Sequence, residues 1–259
     1  MSLTITQIKD KLSQVSAQDF PVLRKSLIAD TRKGVISAIA ACEKRLERER
    51  AEELRLNGMY DFQNSISLGN LCVGIDEVGR GPLAGPLCVA GVVLPLSPVI
   101  TGLNDSKKIS AGVREEIAKE IRRIALAFYI AEVDATTIDK QGMSASLRYA
   151  FAEVVRNIDS ALEDVRSVII DGNALGVDPR EVNVVKGDAK VACIAAASII
   201  AKVHRDNLMI AYSKEFPEYD FASSKGYGSA RHIQAIKDNG LCPIHRKSFC
   251  TSLTQETLF

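Results

Sequence analysis

Four carboxylates stand where the sequence pattern places the ends of buried elements. Asp76 and Glu77 directly follow an apolar, β-rich run at residues 71–75. Asp171 closes the run S-V-I-I at residues 167–170 and precedes Gly172. Asp188 lies in V-V-K-G-D-A-K, just before a long apolar segment. Two adjacent acids at the end of a buried strand are costly unless a cation compensates them. Successive strand side chains point to opposite faces, so the strand must end or bulge for Asp76 and Glu77 to reach one ion. Gly74 and Gly79 give the local freedom for that. Taken singly, the Asp-Glu pair also reads as an exposed turn, and Asp188 as a helix cap. Taken together, acids at several strand or loop ends of one α/β sheet make a hard-oxygen site suited to Mg²⁺ or Mn²⁺, of the kind that serves two-metal phosphoryl transfer. Asp206, in K-V-H-R-D, stands 18 residues beyond Asp188. Along a continuous helix that is roughly 27 Å, so Asp206 reads as a structural or surface residue.

Next to the acids comes G-I-D-E-V-G-R-G-P-L-A-G-P at residues 74–86. Glycines on both sides of Arg80, at Gly79 and Gly81, let backbone groups approach a ligand closely. Backbone N–H and C=O groups can read a ribose 2′-hydroxyl, which both donates and accepts. Arg80 can hold a phosphate by a charged fork. The bland alternative is a tight hairpin before the next strand. Tyr227, between two glycines, reads either as a turn aromatic or as a stacking platform. Lys225, His245, Arg246 and Lys247 are ordinary solvated residues one by one, and phosphate contacts if they share a face with Tyr227. Lys107 and Lys108 after Asp105 are similar candidates.

Those residues need a sheet to hold them. Runs at residues 71–75, 87–94, 127–133 and 167–170 are β-rich, with a weaker one at 181–185. Between and after them, helical periodicity marks residues 110–125, 144–158, 189–216 and 229–239. Val113, Ile117, Ile121 and Ile124 form one such stripe, opened by Ser110 as a plausible cap. The alternation predicts an α/β domain of about 185 residues. Residues 1–68 hold no convincing strand. Ile5, Ile8 and Leu12 sit at helical spacing, and the charged stretch at residues 43–55 reads as a solvated helix face or a nucleic-acid-binding arm. Residues 57–70, with Gly58 and Gly69, read as a linker or boundary.

Composition narrows the class. The chain has 259 residues, 25% charged and 46% hydrophobic, which excludes a mostly disordered chain or a coiled coil alone. No apolar run reaches the ~18–20 residues that cross a bilayer, and residues 1–12 carry charges that do not suit a signal peptide. Six cysteines without a C-x-x-C pair read as reduced and buried, and the expected location is the cytoplasm. The net charge of +1 hides an asymmetry. Residues 186–249 hold ten basic against six acidic side chains, and residues 131–181 five against ten. The basic third contains Tyr227 and suits backbone-phosphate binding.

Six motif blocks in order resemble the bacterial ribonuclease HII family, a type 2 ribonuclease H. They are the block at residues 74–86, L-N-D-S-K-K at 103–108, I-I-D-G at 169–172, K-G-D-A-K with I-A-A-A-S-I-I-A-K-V-H-R-D across 186–206, K-G-Y-G-S at 225–229 and H-R-K-S-F at 245–249. The resemblance implies an RNase H-like fold, a central mixed sheet flanked by helices, with a helical N-terminal extension (1–68) before a catalytic domain (69–259) that ends in further helices. It implies a metal centre of Asp76, Glu77, Asp171 and Asp188 holding Mg²⁺ or Mn²⁺. It assigns Gly79, Arg80 and Gly81 to the 2′-hydroxyl, and Tyr227 to the sugar beyond an RNA-to-DNA junction. The implied activity is cleavage of RNA in RNA/DNA hybrids, and 5′ of single ribonucleotides in duplex DNA, leaving 3′-hydroxyl and 5′-phosphate ends during replication and repair. Ser224 and Ser229 stand where the family often has Asn and Thr. Rival readings are the sister type 2 enzyme that needs longer RNA runs, and a non-catalytic binding scaffold, which the four acids near phosphate argue against.

Two segments fall outside that resemblance. The extension, with eleven basic and nine acidic residues, is expected to aid duplex binding. The tail Q-E-T-L-F at residues 255–259 resembles the short peptide by which replication and repair proteins dock on the sliding clamp, Gln255 offering an amide and Leu258 and Phe259 two apolar anchors.

Overall fold

The structure, a computed structural model, describes residues 3–254. The tail at residues 255–259 lies outside them. Contacts divide the chain into two compact units, Met1–Asn57 and Gly58–Phe259.

The first unit is helical: α1 (Ile5–Gln14), α2 (Phe20–Leu27) and the larger part of α3 (Lys33–Ile66). Thr4 and Gln7 close a reciprocal cap on α1. Ile8, Leu12, Leu27, Val35 and Cys42 form its core. The charged stretch of α3 is not solvated throughout, because Arg45 donates to the carbonyls of Leu12 and Val15 (3.2 and 2.8 Å) as well as pairing with Glu49.

Residues 57–66 are helix and not a linker, although the boundary between the two units does fall here, between Asn57 and Gly58. Met59, Tyr60 and Gln63 bury their side chains. Tyr60 Oη accepts from the Ile100 amide at 3.2 Å, and Gln63 Oε1 accepts from the Cys193 amide at 2.8 Å. A run that looked polar and glycine-marked is held helical by long-range partners.

The second unit then continues with β1 (Leu71–Val78), β2 (Leu87–Val93), α4 (Ala111–Ile124), β3 (Ala127–Val133), α5 (Ala135–Gln141), α6 (Met143–Ala161), β4 (Val165–Asp171), β5 (Glu181–Val184), α7 (Ala192–Glu215), α8 (Phe221–Ser224), α9 (Ala230–Asn239) and α10 (Thr251–Thr254). The sheet order is β3-β2-β1-β4-β5. The β1–β2 and β2–β3 pairs are antiparallel, and the β1–β4 and β4–β5 pairs parallel. Strand alternation separates the faces. Val73 and Ile75 of β1 join Val89, Val93, Phe151 and Val154 in a core under α6. The other face meets α7, where a Cβ on Gly74 would stand 2.4 Å from the Cys193 carbonyl carbon, so only glycine admits so close a helix. On α4 the expected stripe is partly realised: Ile117 and Ile121 are buried while Val113 is exposed. Ser110 precedes α4 but its side chain makes no capping bond.

Candidate active site

β1 does not end or bulge at its acids. It stays paired with β2 through Val78↔Cys88, with Asp76 opposite Ala90 and Glu77 opposite Val89. Its pairing with β4, however, stops at Ile75↔Ile170. The next residues along the two parallel strands are Asp76 and Asp171, which therefore stand side by side at the carboxyl edge. Asp188 arrives from a 3-10 turn, Gly187–Ala189, entered through the left-handed residue Lys186. Asp171 Oδ1 accepts from the Gly187 amide at 2.6 Å and so ties that turn to the end of β4. Asp188 does not cap α7, whose N-cap is Val191.

The four carboxylates feel one another. Burial, then the charge of Glu77, pushes Asp76 up to about 7, against the lowering pull of the nearby Ser198 hydroxyl and of the Glu77 amide, which donates to Asp76 Oδ1 at 2.8 Å. Glu77 is raised by burial and by Asp171, against the lowering pull of Arg80 and Lys107. Asp188 is raised by burial, Asp171 and Asp105. Asp171 thus acts on all three others. Among the described residues no three such side chains already stand close enough to enclose an ion; like charges oppose closer approach. The donor set nevertheless fits a divalent cation: it is all hard oxygen, partly buried, and its protein cations are marginal. Arg80 lies 3.3 Å from Glu77 with its side chain 60% exposed, and Lys107 is exposed.

Positioning groups that the sequence reading passed over surround this edge. Ser198 Oγ stands 2.9 Å from Ser106 Oγ, which links Asp76 to the D-S-K-K loop, and Arg114 donates to the Ser106 carbonyl at 2.6 Å. Asp206 keeps its expected structural place, 2.7 Å from Lys202.

The glycine-arginine loop is braced from inside. Arg205 and Arg246 are fully buried. Arg246 donates to the carbonyls of Gly79, Arg80 and Gly85 (2.6, 3.0 and 2.8 Å). Arg205 donates to Pro86, Ala84 and Lys225 carbonyls (2.9, 3.0 and 2.8 Å). Gly79 has φ +95°, and a Cβ there would meet Arg205 Nε at 2.4 Å. Arg246 is therefore no phosphate contact. Neither is His245, which is buried beside His232. Both looked solvated because H-R-K carries no apolar period. Arg205 did leave a signal, since Ile194, Ser198, Ala201, Arg205 and Met209 repeat at helical spacing along the buried face of α7.

Tyr227 sits on the loop after α8, 44% exposed, with the Arg205 guanidinium carbon 5.9 Å from its ring centroid. The Gly226 carbonyl accepts from the Leu83 amide at 2.8 Å, and the Arg246 amide donates to the Leu83 carbonyl at 2.8 Å. Residues 79–86 are thus clamped between the Tyr227 loop and the segment around His245. Lys225 is partly buried, its Nζ on the Ala222 carbonyl.

Comparison with known proteins closes the question of family. The sequence model described as Ribonuclease HII matches residues 73–252, and that described as Ribonuclease HII N-terminal domain matches residues 4–67. Ribonuclease HII of Clostridium acetobutylicum is 41% identical over 259 residues, covering 97% of this chain and all of the relative. The chain belongs to the ribonuclease HII family. A second ribonuclease HII, from Listeria monocytogenes, is 37% identical over 251 residues, 96% of this chain and 95% of the relative. Among solved structures, the PCNA:RNase HII complex from Archaeoglobus fulgidus superposes with a TM-score of 0.60 at 29% identity, covering 72% of this chain and 98% of that one. As a ribonuclease HII, the chain is a metal-dependent endoribonuclease of type 2 on an RNase H-like fold. No helix among its described residues is long and apolar enough to cross a membrane.

Proposed function

We propose that this ribonuclease HII cuts the RNA strand of RNA/DNA hybrids and nicks duplex DNA on the 5′ side of a single embedded ribonucleotide, leaving 3′-hydroxyl and 5′-phosphate ends. The observation that carries this reading is the orientation of the glycine-arginine loop beside the carboxylates. Arg246 holds the Gly79 and Arg80 carbonyls inward. In a trans peptide the next N–H points the opposite way, so the amides of Arg80 and Gly81 face outward. Two such donors can receive a ribose 2′-hydroxyl that a deoxyribose lacks. A Cβ at Gly81 would meet nothing within 4 Å, so the approach is open.

Asp76, Glu77, Asp171 and Asp188 would hold two ions, Mg²⁺ or Mn²⁺, which when bound neutralise the phosphodiester and activate the attacking water. Ser198 orients Asp76, and Arg80 is free to leave Glu77 for a phosphate. Tyr227 would stack on the sugar beyond the ribonucleotide, with Lys225 and Lys107 near the backbone. The catalytic part is residues 69–259 in this reading, and the extension aids duplex binding. The PCNA complex of the archaeal relative favours a clamp-docking role for residues 255–259 here. Free and mostly buried thiols suit the cytoplasm.

The test is a labelled DNA duplex with one ribonucleotide, incubated with Mg²⁺ or Mn²⁺. A single cut 5′ of the ribonucleotide is expected. Cleavage only of longer RNA runs would assign the chain the sister specificity, and no cleavage in either ion would sink the reading.

A further inference from the structure

Behind Tyr227 lies a buried pair of histidines that the proposed chemistry does not use. His232, on α9, and His245, on the segment clamped to residues 83–85, are 0% and 2% exposed. Their Nε2 atoms stand 3.0 Å apart. His232 Nδ1 is 2.8 Å from the Tyr227 carbonyl oxygen, and His245 Nδ1 is 3.0 Å from the Cys242 amide and 3.1 Å from the Cys242 sulfur, whose S–H can donate to the same nitrogen.

These contacts fix every proton. A carbonyl only accepts, so His232 carries its hydrogen on Nδ1. An amide N–H only donates, so Nδ1 of His245 is bare and its hydrogen sits on Nε2. The Nε2–H of His245 then donates to the bare Nε2 of His232. One directed chain results: Cys242 N–H to His245, His245 to His232, His232 to the Tyr227 carbonyl. Tyr219 and Phe221 pack edge-on against the two rings, with centroids 4.8 Å from His245 and 5.2 Å from His232, and the imidazole planes are tilted 37° to each other. The chain ends on the backbone of the one exposed aromatic beside the braced loop. Tyr227 is flanked by two glycines and lies outside any strand or helix; its amide donates to the Ser224 carbonyl at 2.9 Å and its carbonyl also accepts from the Ser229 amide at 2.8 Å, so His232 adds a side-chain donor to a local turn.

We infer that His232 and His245 are positioning residues for Tyr227, a tautomer-locked relay that sets the direction of its peptide and hence of its ring toward the duplex. This rests on the proposed stacking role of Tyr227. Neither histidine touches substrate.

Paired amide variants test it, because Asn places its nitrogen where His has Nδ1 and Gln where His has Nε2. At position 232, Asn keeps the donor to the Tyr227 carbonyl and Gln loses it. At position 245, Gln keeps the donor to His232 and Asn loses it. The expected order is therefore His232→Asn above His232→Gln but His245→Gln above His245→Asn, each by on the order of tenfold in cleavage of the single-ribonucleotide duplex. Both differences should vanish when Tyr227→Ala is added, since the relay acts through that ring. The same order at both positions, or differences that persist in the Tyr227→Ala background, would overturn the inference. Should Tyr227→Ala alone cut at the parental rate, the stacking role itself falls, a distinguishable result that takes the relay with it. Nitrogen NMR of the unsubstituted protein reads the relay without any variant: hydrogens on Nδ1 of His232 and Nε2 of His245 are expected, and any other tautomer pair refutes it.

Discussion

Nη2 of Arg246 donates to the carbonyl oxygen of Gly79 at 2.6 Å, although the two residues stand 167 apart in sequence. The bond makes the far end of the chain a part of the loop beside the carboxylates. Burial, with Arg205 alongside, lowers Arg246 to about 10, so it remains charged at neutral pH. A planar fork serves three carbonyls that a single ammonium cannot serve together.

Arg246→Lys should therefore loosen the loop and leave the carboxylates in place. A loss of about 2 kcal/mol is expected in chemical denaturation, from carbonyls left without partners. Discrimination between ribose and deoxyribose should weaken more than the maximal rate on hybrids. Equal losses on all substrates would point to a general defect.

Asp76→Asn should abolish cleavage while hybrid binding persists, as gel shift against a labelled hybrid can show. It should also change stability. Asp76 titrates near 7 in the fold against about 3.8 in the unfolded chain, so between those values the native state holds the extra proton. Stability present below pH 4 is lost as pH rises toward 7, by up to about 4 kcal/mol without divalent ions. The Asn variant should lose that slope and melt higher than the parent at pH 8 in chelator. Added Mg²⁺ should raise the melting temperature of the parent and leave the variant little changed.

Ser198→Ala removes the hydroxyl shared between Asp76 and Ser106. Cleavage should fall on the order of tenfold, with a larger share restored by excess Mg²⁺ than in any variant of Tyr227. A rate equal to the parent's at limiting Mg²⁺ would dismiss the serine link.

What could be read from the sequence was local. Asp76, Glu77 and Asp171 betray themselves as acids that follow apolar runs. The continuation of β1 through Val78 was not legible, because it depends on β2 still pairing where β4 has stopped. The helical state of residues 57–66 was hidden for a like reason, since Gln63 serves the amide of Cys193, 130 residues away. Arg246 looks like a surface charge in any window, and only the carbonyls that converge on it show otherwise. Long-range partners decide each of these cases, and composition carries no trace of them.

The histidine pair makes a further prediction about acid. His245 is lowered to about 4 by burial and by His232, and His232 is lowered by burial against the pull of the Tyr227 carbonyl and Asp220, which itself faces Arg231. The unfolded chain binds protons near 6.5 that the native pair refuses. Stability on this account is complete above that value and lost as pH falls toward 4, by about 3 kcal/mol for His245. Asp76→Asn is the right background, because the opposite slope of Asp76 is absent there. In it, melting temperature should drop between pH 6.5 and 4.5, and His245→Gln should flatten the drop.

The boundary of the extension can be tested by where it is cut. Tyr60 and Gln63 belong by their contacts to the second unit, Gly58–Phe259. A protein that starts at residue 69 loses the acceptor for the Cys193 amide at the first turn of α7, the helix that carries Ser198 and Arg205. A buried amide without a partner costs about 1–3 kcal/mol. Truncation at Gly58 should therefore melt close to the parent, and truncation at residue 69 clearly lower. Duplex affinity compared between the parent and the Gly58 form then isolates the role of the extension: weaker binding with unchanged cleavage at saturation is expected, and equal affinity would remove the duplex-binding role.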